Sequence, residues 1–453
     1  MVNKFKLDIQ EKVLEKISGE ISYDQSREER ERIVLDVLSS SFGMTPEESF
    51  FQSATVSELN TEEGRKQFLK EFFSYGQIDD LLKDPFTEDI IVNGLNYIYI
   101  HHAQRGLVKT DKRFQTRKEL DLFVKKLIIF SGKRNLKHIN NFELPDISGR
   151  INIVMSPFGP QVTITKIREI PLSIIDLIKL HSLNCEVAAQ LWLYVEGMNA
   201  RPANMLILGA PGSGKTTLMN ALLSFVPPNE RLVIIEDTLE LNTQLEDSWS
   251  RLECEEGITL AALLKNSLRM RPDRLIVGEV RGEEAQDMMT AMNIGKYCMC
   301  TIHANSAREA IIRLQNKPMN IPETLINLID VFITTKKIHS KNMITRVVSE
   351  VAESAGLEQK MVLLASVWLY DLEKAIFVQK DTSTVFRDKI CSIAGFSPRQ
   401  VIEELKIRTN ILNILQQREI NSINDVTDFC RLYHQDSDAA LAKLGLKRTD
   451  LLR

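Results

Sequence analysis

A chain of 453 residues allows about three domains at the usual 150 or so residues each, and 43% hydrophobic with 26% charged residues exclude wholesale disorder. Lys plus Arg number 57 against 61 Asp plus Glu, a net charge of −4, so the balance argues against a protein built mainly to coat nucleic acid. Six cysteines without a C-x-x-C pair suggest neither a disulfide framework nor a zinc site and fit a reducing compartment.

The opening run MVNKFKLDIQEK lacks the apolar core of a signal peptide, and nowhere do about 18 apolar residues run without a charge. A cytoplasmic location is therefore expected. Residues 1–80 read as a charged, helical N-terminal extension. Ser26-x-x-Glu29 and Thr45-Pro46-x-Glu48 have the form of capping boxes, and Ile33, Val34, Val37 and Leu38 make a stripe at helical spacing. From 81 to 170 an α+β domain is expected. Asp89–Asn93 and Tyr97–His101 flank the turn-forming Asn93-Gly94; Thr116-x-x-Glu119 opens a helix; Ile151–Val154 and Val162–Thr165 are further strands. His101 and His102 are adjacent on a strand and point to opposite faces, so they read as surface histidines rather than a metal pair.

A linker is expected at 171–190, then a P-loop domain at 191–355 in which helix alternates with strand as in a doubly wound, mostly parallel sheet. Its strands are Met205–Leu208, Leu232–Ile235, Leu275–Val277, Cys298–Ile302 and Val331–Thr334. Cys298 and Cys300, two apart, read as small buried groups on one strand face. Residues 356–453 read as a mainly helical C-terminal extension with a strand or two before it. Ser397-Pro398-x-Gln400 caps a helix there, with Val401, Leu405, Leu412 and Leu415 as its stripe.

The strongest chemical signal is Gly209-Ala210-Pro211-Gly212-Ser213-Gly214-Lys215-Thr216, followed by Thr217: a P-loop between an apolar strand and a helix. Its glycines let backbone N–H groups curl around phosphate oxygens at a helix N-terminus. Lys215 is placed to reach the β- and γ-phosphates of ATP and Thr216 to ligate Mg²⁺. Three other apolar strands end in polar groups: Glu236-Asp237, Gly278-Glu279 and His303. In an open α/β sheet, ligands sit at the carboxyl ends of the strands, so all three endings should face the nucleotide. Hydrolysis asks one carboxylate to orient and deprotonate water and another to hold the metal's water shell. Glu236 is assigned to the first task and Glu279 to the second, with the reverse assignment open; His303 is assigned to the γ-phosphate. Arg269, Arg271, Arg274 and Arg281 cluster around the Glu279 strand, and Arg150 and Arg168 precede the P-loop domain; sequence alone does not choose among them.

Ile235-Glu236-Asp237-Thr238-x-Glu240-Leu241, Leu268-Arg-Met-Arg-Pro-Asp273, Ile276-Val-Gly-Glu-Val-Arg-Gly282-x-Glu284-Ala285 and Thr301-Ile-His-Ala-Asn-Ser306 together resemble the type II/type IV secretion ATPase family. Its members are the hexameric motors of type II secretion, type IV pili, tight-adherence pili and the archaellum. The resemblance covers roughly 80–355, with Asp89-Ile-Ile-Val-Asn-Gly94 similar to the family's opening strand, and Ile393–Leu405 resembles the tail of its archaeal branch. It implies a RecA-like P-loop domain, ATP and Mg²⁺, a homo-hexamer, and a polytopic membrane platform protein as partner. Attachment at the inner face of the membrane would be peripheral, with no direct nucleic-acid partner. It also implies an ATP cleft between the α+β and P-loop domains, closing about a hinge near 170–184, with Arg150 matching an inter-domain arginine. Where the family reads T-I-R-K-F, this chain has Thr163-Ile164-Thr165-Lys166-Ile167, and N-T-G-H is Asn293-Ile294-Gly295-Lys296. Lys166 and Arg168 do not replace the missing arginine, because only arginine at that point offers a rigid fork. Three rivals follow: a nucleic-acid translocase on the same engine, a slow nucleotide-gated assembly switch motivated by Thr165, and a kinase-like transferase.

Overall fold

The computed structural model describes residues 4–22, 25–42, 59, 61–147, 149–167, 170–241, 249–255, 257–340, 343–381 and 384–452. The expected capping box at Thr45 and the arginine at 168 lie outside these residues. The chain forms two compact units, Met1–Glu169 with Lys341–Ile344, and Ile170–Ser340 with Thr345–Arg453.

The first unit carries six strands, β1 (Thr87–Asn93), β2 (Tyr99–His102), β3 (Gly106–Lys109), β4 (Ile139–Leu144), β5 (Gly149–Ser156) and β6 (Gly159–Lys166), in the order β3-β2-β1-β6-β5-β4. The Asn93-Gly94 turn joins β1 to antiparallel β2, and Gly94 has φ +60, where a side chain is strained. Alternate residues Ile90, Val92, Ile151, Ile153, Val162 and Ile164 are buried against the helix Arg117–Phe130 and the N-terminal helices. Val13, Leu14, Val34, Leu38, Phe68 and Phe72 belong to that same core. The described residues before 81 are therefore not a separate extension: their apolar stripes cover the sheet, and Phe72, Phe73, Tyr75 and Phe130 pack ring on ring.

Local signals here hold with two corrections. Ser26 and Glu29 make the reciprocal capping bonds, Ser26 N to Glu29 Oε2 at 2.7 Å and Glu29 N to Ser26 Oγ at 3.3 Å. Thr116 caps its helix, but Glu119 accepts from Gln115 N rather than closing the box on Thr116. His102 is buried, accepting at Nδ1 from Gln104 N and Arg105 N, because the β2–β3 turn folds back over it.

The second unit is built on β7 (Met205–Leu208), β8 (Leu232–Glu236), β9 (Ser250–Glu253), β10 (Arg274–Val277), β11 (Tyr297–Ile302), β12 (Val331–Ser340), β13 (Met343–Glu358, entering from the first unit), β14 (Met361–Asp371) and β15 (Ile376–Gln379). The order is β15-β14-β13-β12-β7-β11-β10-β8-β9, with β12 through β9 parallel and β13–β15 antiparallel. This is the expected doubly wound sheet, enlarged. Both faces are covered, so the strands read as unbroken apolar runs. Leu232 and Ile234 enter one core, Val233 and Ile235 the other, and Cys298 and Cys300 share a face of β11 as expected.

Two expected boundaries dissolve in this unit. Residues 171–190 are not a linker but the helix Ile174–Lys179 and the first half of Cys185–Glu196, with Ile174, Ile175, Val187 and Ala188 fully buried. The boundary at 355/356 falls inside β13. The C-terminal helices Pro398–Gln417 and Ile423–Gln435, the first opened by the expected Ser397–Gln400 box, bury Val401, Ile411, Leu412, Leu415 and Val426 in the core that holds Trp192 and Met205. They cover one face of the sheet rather than extending from it.

Candidate functional site

The lateral order β7-β11-β10-β8 sets the P-loop, His303, Glu279 and Glu236 side by side along the carboxyl edge of the parallel sheet. The P-loop backbone is fixed by its glycines: Gly212 and Gly214 have φ of +69 and +95. A Cβ on Gly209 would stand 2.2 Å from Ser213 Oγ and 2.4 Å from Thr335 Oγ1. Those two hydroxyls meet at 2.8 Å, and Thr335 donates to Leu208 O at 2.9 Å, tying the loop to β12. Ala210, Pro211 and Gly212 are exposed, while Ser213 and Lys215 are buried. Thr216 and Thr217 lie in the first turn of the helix Lys215–Leu223.

Lys215 Nζ donates to Gly209 O at 3.0 Å and lies 3.1 Å from His303 Nδ1. His303 Nε2 lies 2.7 Å from Glu279 Oε1, and its Nδ1 also stands 3.2 Å from Gly209 O, so the ring bridges the P-loop, Lys215 and the Glu279 carboxylate. Arg281 grips the same carboxylate, Nε at 2.8 Å from Oε1 and Nη2 donating at 2.9 Å to Oε2, and its Nη1 stands 3.6 Å from Asp237. Lys215, His303, Glu279, Arg281 and Asp237 thus form one continuous polar chain. Arg313 Nη1 donates to His303 O at 2.7 Å and holds the end of β11. Nothing in the local sequence singled out Arg313, since it acts ten residues away from a helix face.

The two glutamates sit in opposite environments. Glu236, 2% exposed, accepts at Oε1 from Glu240 N at 3.0 Å and Leu241 N at 3.1 Å, with Arg251 Nη2 3.8 Å from Oε2. Burial dominates there and pushes its carboxyl up to about 7, against those backbone bonds. Burial also acts to raise Glu279, but Arg281, His303 and Lys215 more than reverse it and hold that carboxyl below its ordinary value.

Gly278 is where the two meet. A Cβ there would lie 3.0 Å from Glu236 Cγ and 3.4 Å from its Cβ. Gly278→Ala is therefore expected to shift Glu236 and destabilise the fold by about 1–3 kcal/mol, the usual cost of an added group in a packed site. Urea titration beside the wild type checks this; an unchanged midpoint would mean that Glu236 has room to spare.

Of the four arginines grouped around Glu279, only Arg281 reaches the site. Arg274 is fully buried at the other end of β10, bonded to Glu230 at 2.8 and 2.9 Å. Arg269 and Arg271 sit before β10, in and just after the short turn of helix Leu268–Met270. Arg150 stands on β5 of the first unit, in register with Glu143 and Thr165, and Thr165 donates to Asp89 Oδ1 at 2.6 Å. Thr165 has thus taken up a local bond within that sheet. Among the described residues no group of three or more His, Cys, Asp or Glu side chains could hold a metal. The P-loop cradle and buried Lys215 fit a nucleotide triphosphate. A hard divalent ion would fit beside it only with phosphate oxygens completing its shell around Thr216 and the ionised Glu279.

The sequence profile of a family described as "Type II/IV secretion system protein" matches residues 138–447. An uncharacterized protein of Methanocaldococcus jannaschii is 32% identical over 93% of this chain and 81% of its own length. A putative conjugal transfer protein of Mycobacterium tuberculosis is 31% identical over 53% of this chain and 72% of its own length. Among solved structures, the ATPase DotB of Legionella pneumophila covers 81% of this chain and 93% of its own length at 16% identity, with a TM-score of 0.43.

Proposed function

The chain belongs to the type II/IV secretion system protein family, and on that premise we propose that it is a Mg²⁺-dependent ATPase motor. It would power assembly of a type IV pilus-like filament, an archaellum, or protein secretion at the cytoplasmic face of a membrane machine. The observation that carries the reading is the pair of carboxylates beside the P-loop, one buried and titrating near neutrality, the other kept ionised by Arg281 and His303. Environments that push two titratable groups apart assign them to base and charge roles.

In this reading Glu236 takes a proton from the attacking water, and its two backbone N–H bonds fix the direction of the accepting oxygen. Glu279 and Thr216 would hold the metal, which would supply charge neutralisation at the phosphoryl oxygens. Lys215 exchanges its P-loop carbonyl and His303 for phosphate, and His303, released from Lys215, reports the γ-phosphate to Glu279. Gly209, Ala210, Pro211, Gly212, Ser213, Gly214 and Thr217 complete the cradle around the phosphates. Arg150, on β5, is assigned to this reaction by its match to the family's arginine alone. The proposed working form is a homo-hexameric ring on a polytopic membrane platform protein. No helix among the described residues is long and apolar enough to cross a membrane, so the attachment would be peripheral.

The test is Mg²⁺-ATP hydrolysis against protein concentration, wild type beside Lys215→Ala. Turnover per chain should rise as rings assemble, and the variant should lie at least about a hundredfold lower, having lost the charge at the β- and γ-phosphates. A wild-type rate flat at background over the whole range would overturn the motor reading. Some relatives bear the name conjugal transfer protein, which favours a second reading as a nucleic-acid translocase. Single- and double-stranded DNA in the same assay separates the two, strong stimulation supporting the translocase.

A further inference from the structure

Across the β8–β9 ladder Ile234 pairs with Arg251 and Glu236 with Glu253, and paired residues of neighbouring strands project to the same face. Arg251 therefore shares the face of Glu236 from two residues back along the strand, a gap of about 7 Å that an arginine stem spans. Its side chain is a third exposed, and Nη2 stands 3.8 Å from Glu236 Oε2. That oxygen is buried with no hydrogen-bond partner among the described residues, whereas Oε1 takes both backbone N–H groups of the loop. β9 is the last strand of the sheet, so the arginine reaches in from solvent and keeps its charge partly hydrated. The other charged groups around this carboxyl are Glu253 on β9, Asp237 and Glu240 on the loop after β8, and Glu279 beyond the end of β10. Asp237 and Glu279 are ion-paired with Arg281; Glu240 opposes ionisation of Glu236, and Arg251 favours it.

Resting on the reading of Glu236 as the general base, we propose that Arg251 is a positioning residue for it, closing its guanidinium onto the unpartnered Oε2 each time the carboxylate is ionised. A carboxylate oxygen buried without a donor favours the protonated form, and a protonated Glu236 cannot take a proton from water. A neighbouring cation shifts that balance back. At 3.8 Å the pair attracts without a hydrogen bond, and a side-chain movement of about 1 Å turns the contact into a charge-assisted one. Arg251 thus keeps the base available near neutral pH without gripping it so tightly that its basicity is lost.

The experiment follows the Glu236 carboxyl directly, by carbon-13 NMR of nucleotide-free protein labelled at the glutamate δ-carbon, from about pH 5 to pH 9, with Glu236→Gln identifying its signal. Wild type stands beside Arg251→Met, which keeps the apolar stem, and Arg251→Lys, which keeps the charge. The Met variant should titrate about half a pH unit or more above wild type, short of the shift of a fully buried pair because the guanidinium is partly exposed. Lys, with the charge but not the fork, should fall between them. In the Met variant the acid limb of ATP turnover should move up by the same amount, with KM for ATP within about twofold of wild type. A Met variant whose carboxyl titrates with the wild type would overturn the inference and leave Arg251 a surface residue of an edge strand. So would a rate lowered equally at every pH. A carboxyl signal that shifts while the rate limb stays in place would uphold the hold of Arg251 on Glu236 and sink instead the reading of Glu236 as the base.

Discussion

Glu236→Gln is expected to lower ATP turnover by roughly 10²–10⁴-fold, the usual worth of a positioned general base, while nucleotide affinity stays near wild type. Glutamine keeps the size of the side chain and an oxygen for the N–H groups of Glu240 and Leu241, so the loop 236–241 should hold. What it removes is the proton acceptor. Burial lifts the Glu236 carboxyl to about 7, so the wild-type rate should climb as pH rises through 7 and level off above it; the glutamine variant should lack that limb. The sign for stability runs the other way. A carboxyl raised above its ordinary 4.5 stabilises the fold fully below that pH and loses the contribution as pH rises through about 7. At pH 8 the glutamine variant should therefore melt at or above the wild type. A rate within tenfold of wild type would hand the base role to Glu279.

Arg408→Met is expected to destabilise the second unit by about 3–5 kcal/mol, the cost of stranding buried carboxylates by removing their partner. Arg408 is 2% exposed, ion-paired with Glu196 and bonded to Glu404 Oε1 at 3.0 Å, and its guanidinium lies 4.8 Å over the Trp192 ring. Trp192 in turn stacks on Phe225 at 5.1 Å. Glu196 is also faced by His434 Nδ1 at 2.8 Å, and Glu404 accepts from Tyr433 Oη at 2.9 Å and from Arg448. Burial acts to raise both carboxyls, and Arg408 foremost among these partners reverses it, leaving both below the ordinary 4.5. Groups lowered in this way stabilise above pH 4.5 and stop doing so as pH falls. The penalty of the methionine variant should thus be largest at neutral pH and shrink toward pH 4. All three tryptophans, Trp192, Trp249 and Trp368, belong to the second unit, so urea titrations followed by their fluorescence report on it alone. A penalty under about 1 kcal/mol at pH 7.5 would mean that hydrophobic packing alone holds the C-terminal helices.

The parts of this protein legible in its sequence are those whose physics is local. A P-loop is a strand, a glycine turn and a helix start within twenty residues, and each element acts on its immediate neighbours. The parallel strands Leu232–Ile235 and Cys298–Ile302 are equally plain, because burial on both faces leaves an unbroken apolar run. The capping boxes at Ser26 and Ser397 are contacts over three residues. The β9 strand, Ser-Arg-Leu-Glu on a sheet edge, has no such run and stayed hidden. So did β4, whose Asn140 and Asn141 interrupt any alternation.

The rest depended on residues far apart in the chain, and no periodicity encodes their pairing. Only the lateral strand order puts His303 between the P-loop and Glu279, and sends Arg274 to the far end of β10. Only packing shows that 171–190 and the C-terminal helices fill a core around Trp192. The split in pKa between Glu236 and Glu279 has the same origin. Two acids ending two apolar strands look alike in sequence, and their burial and the cations around them push one carboxyl above its ordinary value and hold the other below it. Arg251 is the clearest case: as one arginine in a short polar run it carries no signal until β9 pairs with β8 and sets it beside Glu236.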